Sequence, residues 1–165
     1  CSSDLITLGV LRQQIYLDAI AGKLTNGKKT DSAIKIILRI ALYQLIFLDK
    51  IPQHAAINDA VNLVQRAKKT SAKGFVNAVL RRYTREKIEI SFKDEIEKLS
   101  VETSHPQWLI EKWIAEFEFE ETKKIAEINN QAPKMSFRPT AKTTEAVKKS
   151  LANEKIENEK NIYKI

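Results

Sequence analysis

Apolar residues in the first half of the chain recur at the spacing of an α-helix. Between residues 4 and 87 no alternating strand pattern persists, and Pro52 is the only proline. The pattern predicts four helices, at about 3–24, 32–48, 54–69 and 71–87. Asp31 or Ser32 is the expected cap of the second helix, and Ser71 is the expected cap of the fourth. This half of the chain is therefore predicted to be all-helical.

The second predicted helix is apolar on nearly every side. Between residues 36 and 48, Arg39 and Gln44 are the polar exceptions. A helix of this kind is normally buried at the centre of a domain. The helices on either side have one apolar face each, made of Ile57, Ala60, Val61 and Val64 in the third and of Phe75, Val76, Val79, Leu80 and Tyr83 in the fourth. The sequence thus predicts a bundle built around the second helix.

The composition changes after residue 87. Residues 88–165 hold 15 acidic and 13 basic side chains, both tryptophans and three of the four prolines. Helices are predicted at 107–117, 120–130 and 144–153 and short strands at 135–138 and 161–165, with 152–160 as an exposed connection. Ser104-His105-Pro106 is expected to form the capped start of the first of these helices, which is expected to pack through Trp108, Ile110, Trp113, Ile114 and Phe117. We predict two domains, a helical one at 1–87 and a partial α+β one at 88–165.

Positive charge is concentrated between residues 66 and 87. This segment has eight Lys or Arg and one acid, Glu86, a balance of +7 that equals the net charge of the whole chain. Such a patch indicates a polyanionic partner. The alternative is a set of solvated cations at helix C-termini, each stabilising its helix by about 0.3–1 kcal/mol. The candidate binding residues are Arg66, Lys68, Lys69, Lys73, Arg81, Arg82 and Arg85.

The sequence offers little for catalysis. One cysteine and two histidines cannot form a zinc site of the usual Cys/His type. The four glycines are too dispersed for a phosphate-binding loop. An acidic group at Glu116, Glu118, Glu120 and Glu121 fits a junction between helices, with Phe117 and Phe119 packing inward, better than a cation site. We therefore predict no catalytic residue, no cofactor-binding residue and no metal ligand in this chain.

Cysteine content and hydropathy bear on the compartment. The most apolar run, 40–48, has nine residues, whereas a membrane-spanning helix needs about 20. A single cysteine excludes an intramolecular disulfide and favours a reducing compartment. We predict a cytoplasmic protein without a membrane partner. The chain begins without methionine inside a predicted helix, so we expect it to be a fragment.

Two segments of the helical half resemble a known family. The run IILRIALYQLIFLDKIPQHAAINDAV at 36–61, followed by GFVNAVLRR at 74–82, resembles the NusB-like RNA-binding domain. LGVLR at 8–12 resembles the helix that precedes this core. Two groups of proteins have such a domain: the NusB antitermination factors, and the ribosomal RNA cytosine-C5 methyltransferases of the RsmB (Sun/Fmu) type, which carry it at their N-terminus. The resemblance implies a NusB-like helical bundle.

The second half resembles the methyltransferases. NusB ends soon after the helix that contains Arg81, but this chain continues for 78 residues beyond Lys87. SHPQWLIEKW at 104–113 and NNQAPKMSFRP at 129–139 resemble the segment that joins the helical domain to the catalytic domain. Two departures are present: residues 138–140 read Arg-Pro-Thr in place of the usual Arg-Val-Asn, and Glu118 stands where glycine is common.

The resemblance implies a longer protein. Two helices would precede Cys1, and a Rossmann-like domain after Ile165 would transfer a methyl group from S-adenosylmethionine to a cytosine of small-subunit (16S) rRNA through a covalent cysteine adduct. This chain would position the rRNA. Two alternatives stay open, a non-enzymatic NusB-type adaptor in transcription antitermination and a packing scaffold for the catalytic domain. Without the preceding helices, helix 36–48 should keep bare apolar surface, which would allow self-association.

Overall fold

The computed structural model describes residues 2–131, 136–137, 157–159 and 162–164. Contacts divide the chain into two compact units, Cys1–Asn130 and Gln131–Ile165. The described part of the first unit contains α1 (Ser2–Arg12), α2 (Gln14–Leu24), α3 (Ser32–Phe47), α4 (Gln53–Arg66), α5 (Lys73–Arg85), α6 (Glu95–Glu102) and α7 (Gln107–Asn130). A 3-10 turn, Thr70–Ala72, precedes α5.

Helix α3 lies at the centre of the bundle, as the sequence predicted. It contacts α1, α2, α4 and α5. Its Leu38 and Leu42 are almost completely buried, together with Leu17 of α2 and Leu80 of α5. Full burial of one such side chain stabilises the fold by about 1.5–3 kcal/mol. Asp31 caps α3, because its carboxylate accepts a hydrogen bond from the Ala33 N–H at 3.0 Å.

The predicted first helix is divided in two at Gln13. The Gln13 N–H donates to the Gly9 carbonyl at 2.9 Å, and the Gln13 carbonyl accepts from the Leu17 N–H at 2.9 Å. Gln13 has φ −98° and ψ 18°, so its backbone separates α1 from α2 although its own N–H and carbonyl groups stay paired. Apolar spacing alone could not reveal this break, since it continues through both helices.

The expected cap at Ser71 is wrong. Lys68 has a positive φ of 57° and ends α4 early, with the Lys69 N–H donating to the Val64 carbonyl at 3.1 Å. The chain then enters the 3-10 turn, and Ala72, without a side-chain acceptor, precedes α5. The turn residues that the sequence assigned to two long helices thus connect two shorter ones.

Helices α1 and α3 approach each other closely at Gly9. A Cβ atom at this position would lie 2.1 Å from both Cζ and Oη of Tyr43. The Tyr43 side chain is buried, and its ring lies 5.1 Å from the ring of Phe47. No side chain larger than hydrogen fits at Gly9 unless Tyr43 moves.

The segment after residue 87 packs on the helical bundle. Helix α6 contacts α2, and the Ser104 hydroxyl accepts hydrogen bonds from the backbone N–H groups of Ile15 at 2.9 Å and Tyr16 at 3.4 Å. The first N–H groups of a helix have no partner within the helix itself. At the start of α2 the preceding residue, Gln13, offers no side-chain acceptor for them. Ser104 therefore caps α2, a role that the sequence did not predict.

The predicted domain boundary at 87/88 lies inside the first compact unit, so residues on both sides of it, up to Asn130, pack together. The composition changes at that point, but the contacts separate only after Asn130. The assignment of 1–87 and 88–165 to two domains stays a prediction.

Helix α7 is interrupted at Glu118, where the sequence predicted two helices. Its packed side chains include Ile110 and Trp113 before the break and Phe119 after it. Trp108 and Phe117 were expected in this face, but 64% and 42% of their surface is exposed. Trp108 lies two residues from Ile110, about 200° around the helix, and Phe117 directly adjoins the break. Of the two phenylalanines expected to pack inward at the acidic junction, Phe117 and Phe119, only Phe119 does so.

The backbone at Glu118 has φ 64° and ψ 171°, a combination that is essentially restricted to glycine and costs other residues about 1–3 kcal/mol. We expect Glu118→Gly to raise the free energy of unfolding by about 1 kcal/mol, because the relief of strain exceeds the roughly 0.5–1 kcal/mol entropic cost of glycine. Urea denaturation measures the change. Glu118→Ala keeps the strain and is the control, so equal stabilisation by both variants would contradict this explanation.

The second unit contains three short strands among its described residues, β1 (Ser136–Phe137), β2 (Glu157–Glu159) and β3 (Ile162–Lys164). The strand order is β1-β3-β2 and both pairings are antiparallel, with Tyr163 opposite Phe137 and Asn158. Strands were predicted at the positions of β1 and β3. The connection predicted at 152–160 is wrong where β2 forms, because pairing uses backbone groups and tolerates its polar side chains. The predicted helix at 144–153 lies outside the described residues, and the α+β character of 88–165 stays a prediction.

Candidate RNA-binding surface

Three basic residues of α5 and one asparagine follow one another at four-residue spacing along one side of the helix, where Arg81 and Arg85 are exposed and Lys73 and Asn77 are half-buried. We call Lys73, Asn77, Arg81 and Arg85 the basic stripe; it spans about 18 Å at 1.5 Å per residue. Lys73 Nζ donates to Gln65 Oε1 at 2.7 Å, and Arg81 Nε donates to Asn77 Oδ1 at 3.1 Å. Both acceptors are neutral amides, which orient the cations without cancelling their charge. Arg85 makes no ion pair with any residue that the structure describes.

Arg82 has a different environment from its neighbours in the basic stripe. Its Nε donates to Glu86 Oε2 at 2.7 Å. Its Nη1 lies within hydrogen-bonding distance of the Leu24 carbonyl, at 3.3 Å, and of Asn26 Oδ1, at 3.4 Å. Arg82 thus connects α5 to the end of α2, and part of its charge is neutralised.

The loop between α2 and α3 adds cations that the sequence analysis missed. Lys69 Nζ pairs with Asp31 Oδ2 at 2.8 Å and connects this loop to the turn before α5. Hydrogen bonds from Lys69 and from the Ala33 N–H hold the pKa of Asp31 below its usual value. Lys28 and Lys29 are exposed and form no ion pair with another described residue. In the sequence these two lysines follow Asn26-Gly27 and lie outside the basic segment 66–87, so the charge pattern did not indicate them.

Two other predicted residues lie away from the basic stripe. Arg66 lines a small surface depression with Gln44 of α3 and Asp59 of its own helix. Lys68 is exposed in the turn after α4. Neither cation has an ion-pair partner within the described part of the chain. The structure therefore brings Lys73, Arg81 and Arg85 together on α5. Arg66 lies on α4, in a depression that no residue of the basic stripe lines.

Arg39 of the central helix serves the fold. Its guanidinium binds the Asp18 carboxylate through two hydrogen bonds of 2.7 Å, and Lys35 Nζ lies 3.1 Å from the same carboxylate. Burial raises the pKa of Asp18, but the hydrogen bonds and charges of Arg39 and Lys35 outweigh it, and the pKa is lowered. This arrangement joins α2 to α3 through the Nε and Nη2 atoms of Arg39.

The described residues present no arrangement suited to catalysis. No group of three or more His, Cys, Asp or Glu in this part of the chain is placed to hold a metal ion. Of the four acids at 116–121, Glu121 pairs with Lys124 at 2.6 Å. His105 Nδ1 lies 3.1 Å from Thr103 Oγ1, and its ring is 5.5 Å from that of Trp113. Both neighbours give His105 a structural environment at the start of α7.

S-adenosylmethionine does not fit the described residues. Binding of such a cofactor commonly uses a glycine-rich turn between a strand and a helix, whereas three of the four glycines lie within helices and Gly27 lies in the turn after α2. We therefore derive no step of methyl transfer from this chain. No helix among the described residues has both the length and the apolarity needed to cross a bilayer.

Comparison with known proteins places this geometry in a family. Residues 2–85, just over half of the chain, match the NusB family. Residues 105–163 match a family described as the ferredoxin-like domain of RsmF/B-like methyltransferases.

Several relatives similar to the chain are named ribosomal RNA small subunit methyltransferase B. A probable ribosomal RNA small subunit methyltransferase B of Bacillus subtilis (strain 168) is 35% identical over 81% of the chain, and a ribosomal RNA small subunit methyltransferase B of Pseudomonas putida is 38% identical over 81%. The protein of that name in Pasteurella multocida is 33% identical over 94% of the chain. The matched region covers 30% of the first two relatives and 34% of the third. With its helical bundle and the match over residues 2–85, the chain belongs to the NusB family.

Proposed function

We propose that this chain is the RNA-binding N-terminal region of a small-subunit (16S) rRNA methyltransferase and positions rRNA for a catalytic domain elsewhere in a longer protein. The observation that carries the proposal is the basic stripe on a NusB-family bundle. The names of the relatives and the match at 105–163 support the methyltransferase assignment over a NusB-type adaptor. The chain spans about a third of those relatives, so the whole protein's activity is part of the proposal.

The finer chemistry rests on the resemblance of 104–113 and 129–139 to the methyltransferases. We infer that the full protein uses S-adenosylmethionine to methylate C5 of a cytosine. In this chain, the task is to bind phosphates and to orient the RNA. Phosphate contacts fix the position of a nucleic acid on a protein without reading its sequence. A cytoplasmic location stays a prediction.

A salt titration tests RNA binding by the isolated chain. If the uncompensated cations neutralise about four phosphates of a single strand, log K should fall against log salt concentration with a slope of roughly −3. Fluorescence anisotropy with a labelled single-stranded RNA measures this slope. Binding that is absent at low salt, or that does not respond to salt, would contradict the proposal and leave the cations as solvated helix residues.

Exposed leucines on α1 support a second proposal, that the chain self-associates. Leu5, Leu8 and Leu11 expose 56%, 62% and 61% of their surface. Ile36 on α3 is also exposed, at 51%, in agreement with the expectation of bare surface on that helix. Clustered apolar residues at a surface favour association because contact removes them from water.

We expect a dimer or larger species in sedimentation velocity, shifted towards monomer by Leu8→Gln with Leu11→Gln. Ile128→Gln, which changes an exposed apolar residue of α7, is the matched control and should leave the distribution unchanged. A wild-type chain that remains monomeric at all concentrations would contradict self-association.

A further inference from the structure

A surface cleft lies beside α5, on the flank opposite to Lys73. It has a volume of about 320 Å³ and is lined by the loop between α2 and α3 and by the residues around the start of α5. Phe75 lines the cleft, and it is two residues from Lys73, which corresponds to 200° around a helix. The cleft and the beginning of the basic stripe therefore occupy opposite flanks of the same helix.

The cleft combines an apolar floor with a positive rim. Ile34, Ala72 and Phe75 supply the apolar surface, and Lys28 and Lys29 supply the charge. Phe75 is partly buried against the hydrophobic core, so one part of its side chain is fixed by packing while it also contributes to the cleft wall. This gives the cleft a rigid aromatic group instead of a mobile one.

The charges at the rim are free to bind an anion. Lys28 and Lys29 are exposed and have no ion-pair partner among the described residues. Asp31, the one acid in the cleft lining, is paired with Lys69 at 2.8 Å, and hydrogen bonding by Lys69 lowers its pKa. The acid's charge is thus already compensated, and the net charge presented by the rim is positive.

Hydrogen bonds made by side chains keep this arrangement in place. Asp31 caps α3 through the Ala33 N–H, and Arg82 binds the Leu24 carbonyl and Asn26 Oδ1 at the other end of the loop. The loop carrying both lysines is therefore attached at its two ends, to the turn before α5 through Asp31 and Lys69 and to the last turn of α5 through Arg82. Lys28 and Lys29 are held beside Phe75.

We propose that this cleft binds one unpaired nucleotide of RNA, with its base against Phe75 and its phosphates on Lys28 and Lys29. The proposal rests on the RNA-binding function proposed above and adds a subsite to it. Charge complementarity identifies the occupant, because an apolar and aromatic floor with a cationic rim matches a base attached to phosphates. Paired bases in A-form RNA cannot reach such a floor, whereas single-stranded bases stack on aromatic side chains.

The test separates the contribution of the base from that of the backbone. The probes are a short single-stranded oligoadenylate and an abasic ribose-phosphate strand of the same length, bound by the full chain at one salt concentration. Base stacking on an aromatic side chain is worth roughly 5- to 150-fold in affinity, so the wild-type chain should prefer oligoadenylate by a factor in this range. Phe75→Leu should reduce this preference several-fold and leave binding of the abasic strand nearly unchanged.

Two further variants complete the test. Phe75→Tyr keeps the aromatic face and should retain the preference for oligoadenylate. Lys28→Gln with Lys29→Gln should weaken both strands alike and make the salt slope shallower by about 1. Circular dichroism melting shows that each variant is folded before its affinity is compared.

Phe119→Leu, which shortens a partly buried phenylalanine of α7, is the matched control. If Phe75→Leu lowers the preference for oligoadenylate no more than Phe119→Leu does, the nucleotide subsite is overturned while salt-dependent RNA binding stands. If the wild-type chain binds neither strand, the proposed function fails and the subsite fails with it.

Discussion

Reversing two charges of the basic stripe, with Arg81→Glu and Arg85→Glu in one chain, is expected to weaken single-stranded RNA binding by roughly 100-fold or more at about 0.1 M salt. A hydrogen bond to a charged group contributes about 1.5–3 kcal/mol, and each reversal also adds repulsion from a phosphate. The salt slope should become shallower, from roughly −3 to between about −1 and −2, because fewer phosphates are neutralised. Fluorescence anisotropy across a salt series measures both quantities.

Arg81 and Arg85 are the residues of α5 best suited to this charge reversal, because neither is neutralised by an acidic partner among the described residues. Arg81 bonds only the neutral Asn77 side chain, and Arg85 has no ion-pair partner in the described part of the chain. Arg82 is unsuitable, because it binds the Leu24 carbonyl and Glu86 and its loss would disturb the fold. A stable variant can therefore be expected when Arg81 and Arg85 are changed and Arg82 is kept.

The matched control makes the same charge change on two other helices, α6 and α7. Lys98→Glu with Lys112→Glu reverses two exposed cations of α6 and α7 and produces the same net charge. We expect this control to lower affinity only slightly, since exposed charges more than a Debye length from the RNA, about 10 Å at 0.1 M, are screened. Equal losses in the two double variants would indicate a nonspecific effect of net charge and contradict a localised surface.

Substitution of Gly9 by alanine is expected to cause a large loss of stability, in contrast to the other helical glycines Gly22 and Gly74, where an added Cβ would meet no atom within 4 Å. The new Cβ would lie 2.1 Å from Cζ and Oη of the buried Tyr43 ring, so either the ring or α1 must move. Overpacking of this kind costs about 1–3 kcal/mol. For a protein of this size the melting temperature falls by about 2–4 °C for each kcal/mol. Thermal melting followed by circular dichroism measures the shift.

Gly22→Ala is the matched control with the opposite expected sign. Gly22 lies in α2, and nothing is within 4 Å of a Cβ built there. Replacing a helical glycine with alanine in open space stabilises by about 0.5–1 kcal/mol. In a Tyr43→Leu background the cost of Gly9→Ala should shrink, because the two residues are in contact and their effects are coupled. A Gly9→Ala variant as stable as Gly22→Ala would show that α1 and α3 do not approach this closely.

The sequence could predict the bundle and its central helix because apolar periodicity records burial directly. Residues 36–48 are apolar on most sides, and α3 contacts four other helices. The same periodicity could not show the break at Gln13, the short α4 or the 3-10 turn, since these depend on hydrogen bonds of individual backbone groups. The break in α7 was predicted, because Glu118 separates two apolar patterns.

The basic stripe could be located from the sequence because four-residue spacing fixes one side of a helix. The distribution of free and neutralised charge could not be predicted. Lys69 pairs with Asp31, and Arg82 binds the Leu24 carbonyl, which are partners far away in the sequence. Lys28 and Lys29 lie beside α5 because the same contacts of Asp31 with Lys69, and of Asn26 with Arg82, attach their loop to that helix and the turn before it. Contacts between residues far apart in sequence decide which cations remain available.

The hydroxyl of Ser104 has a consequence for the order in which the protein folds. Its partners, the N–H groups of Ile15 and Tyr16, precede it by 89 and 88 residues. The start of α2 can obtain its cap only after the ribosome has released the chain beyond α6. Contacts of such sequence separation slow folding, because loop closure costs entropy before the contact is made. During synthesis, the RNA-binding bundle should therefore reach its final stability only when the segment that follows it has been translated.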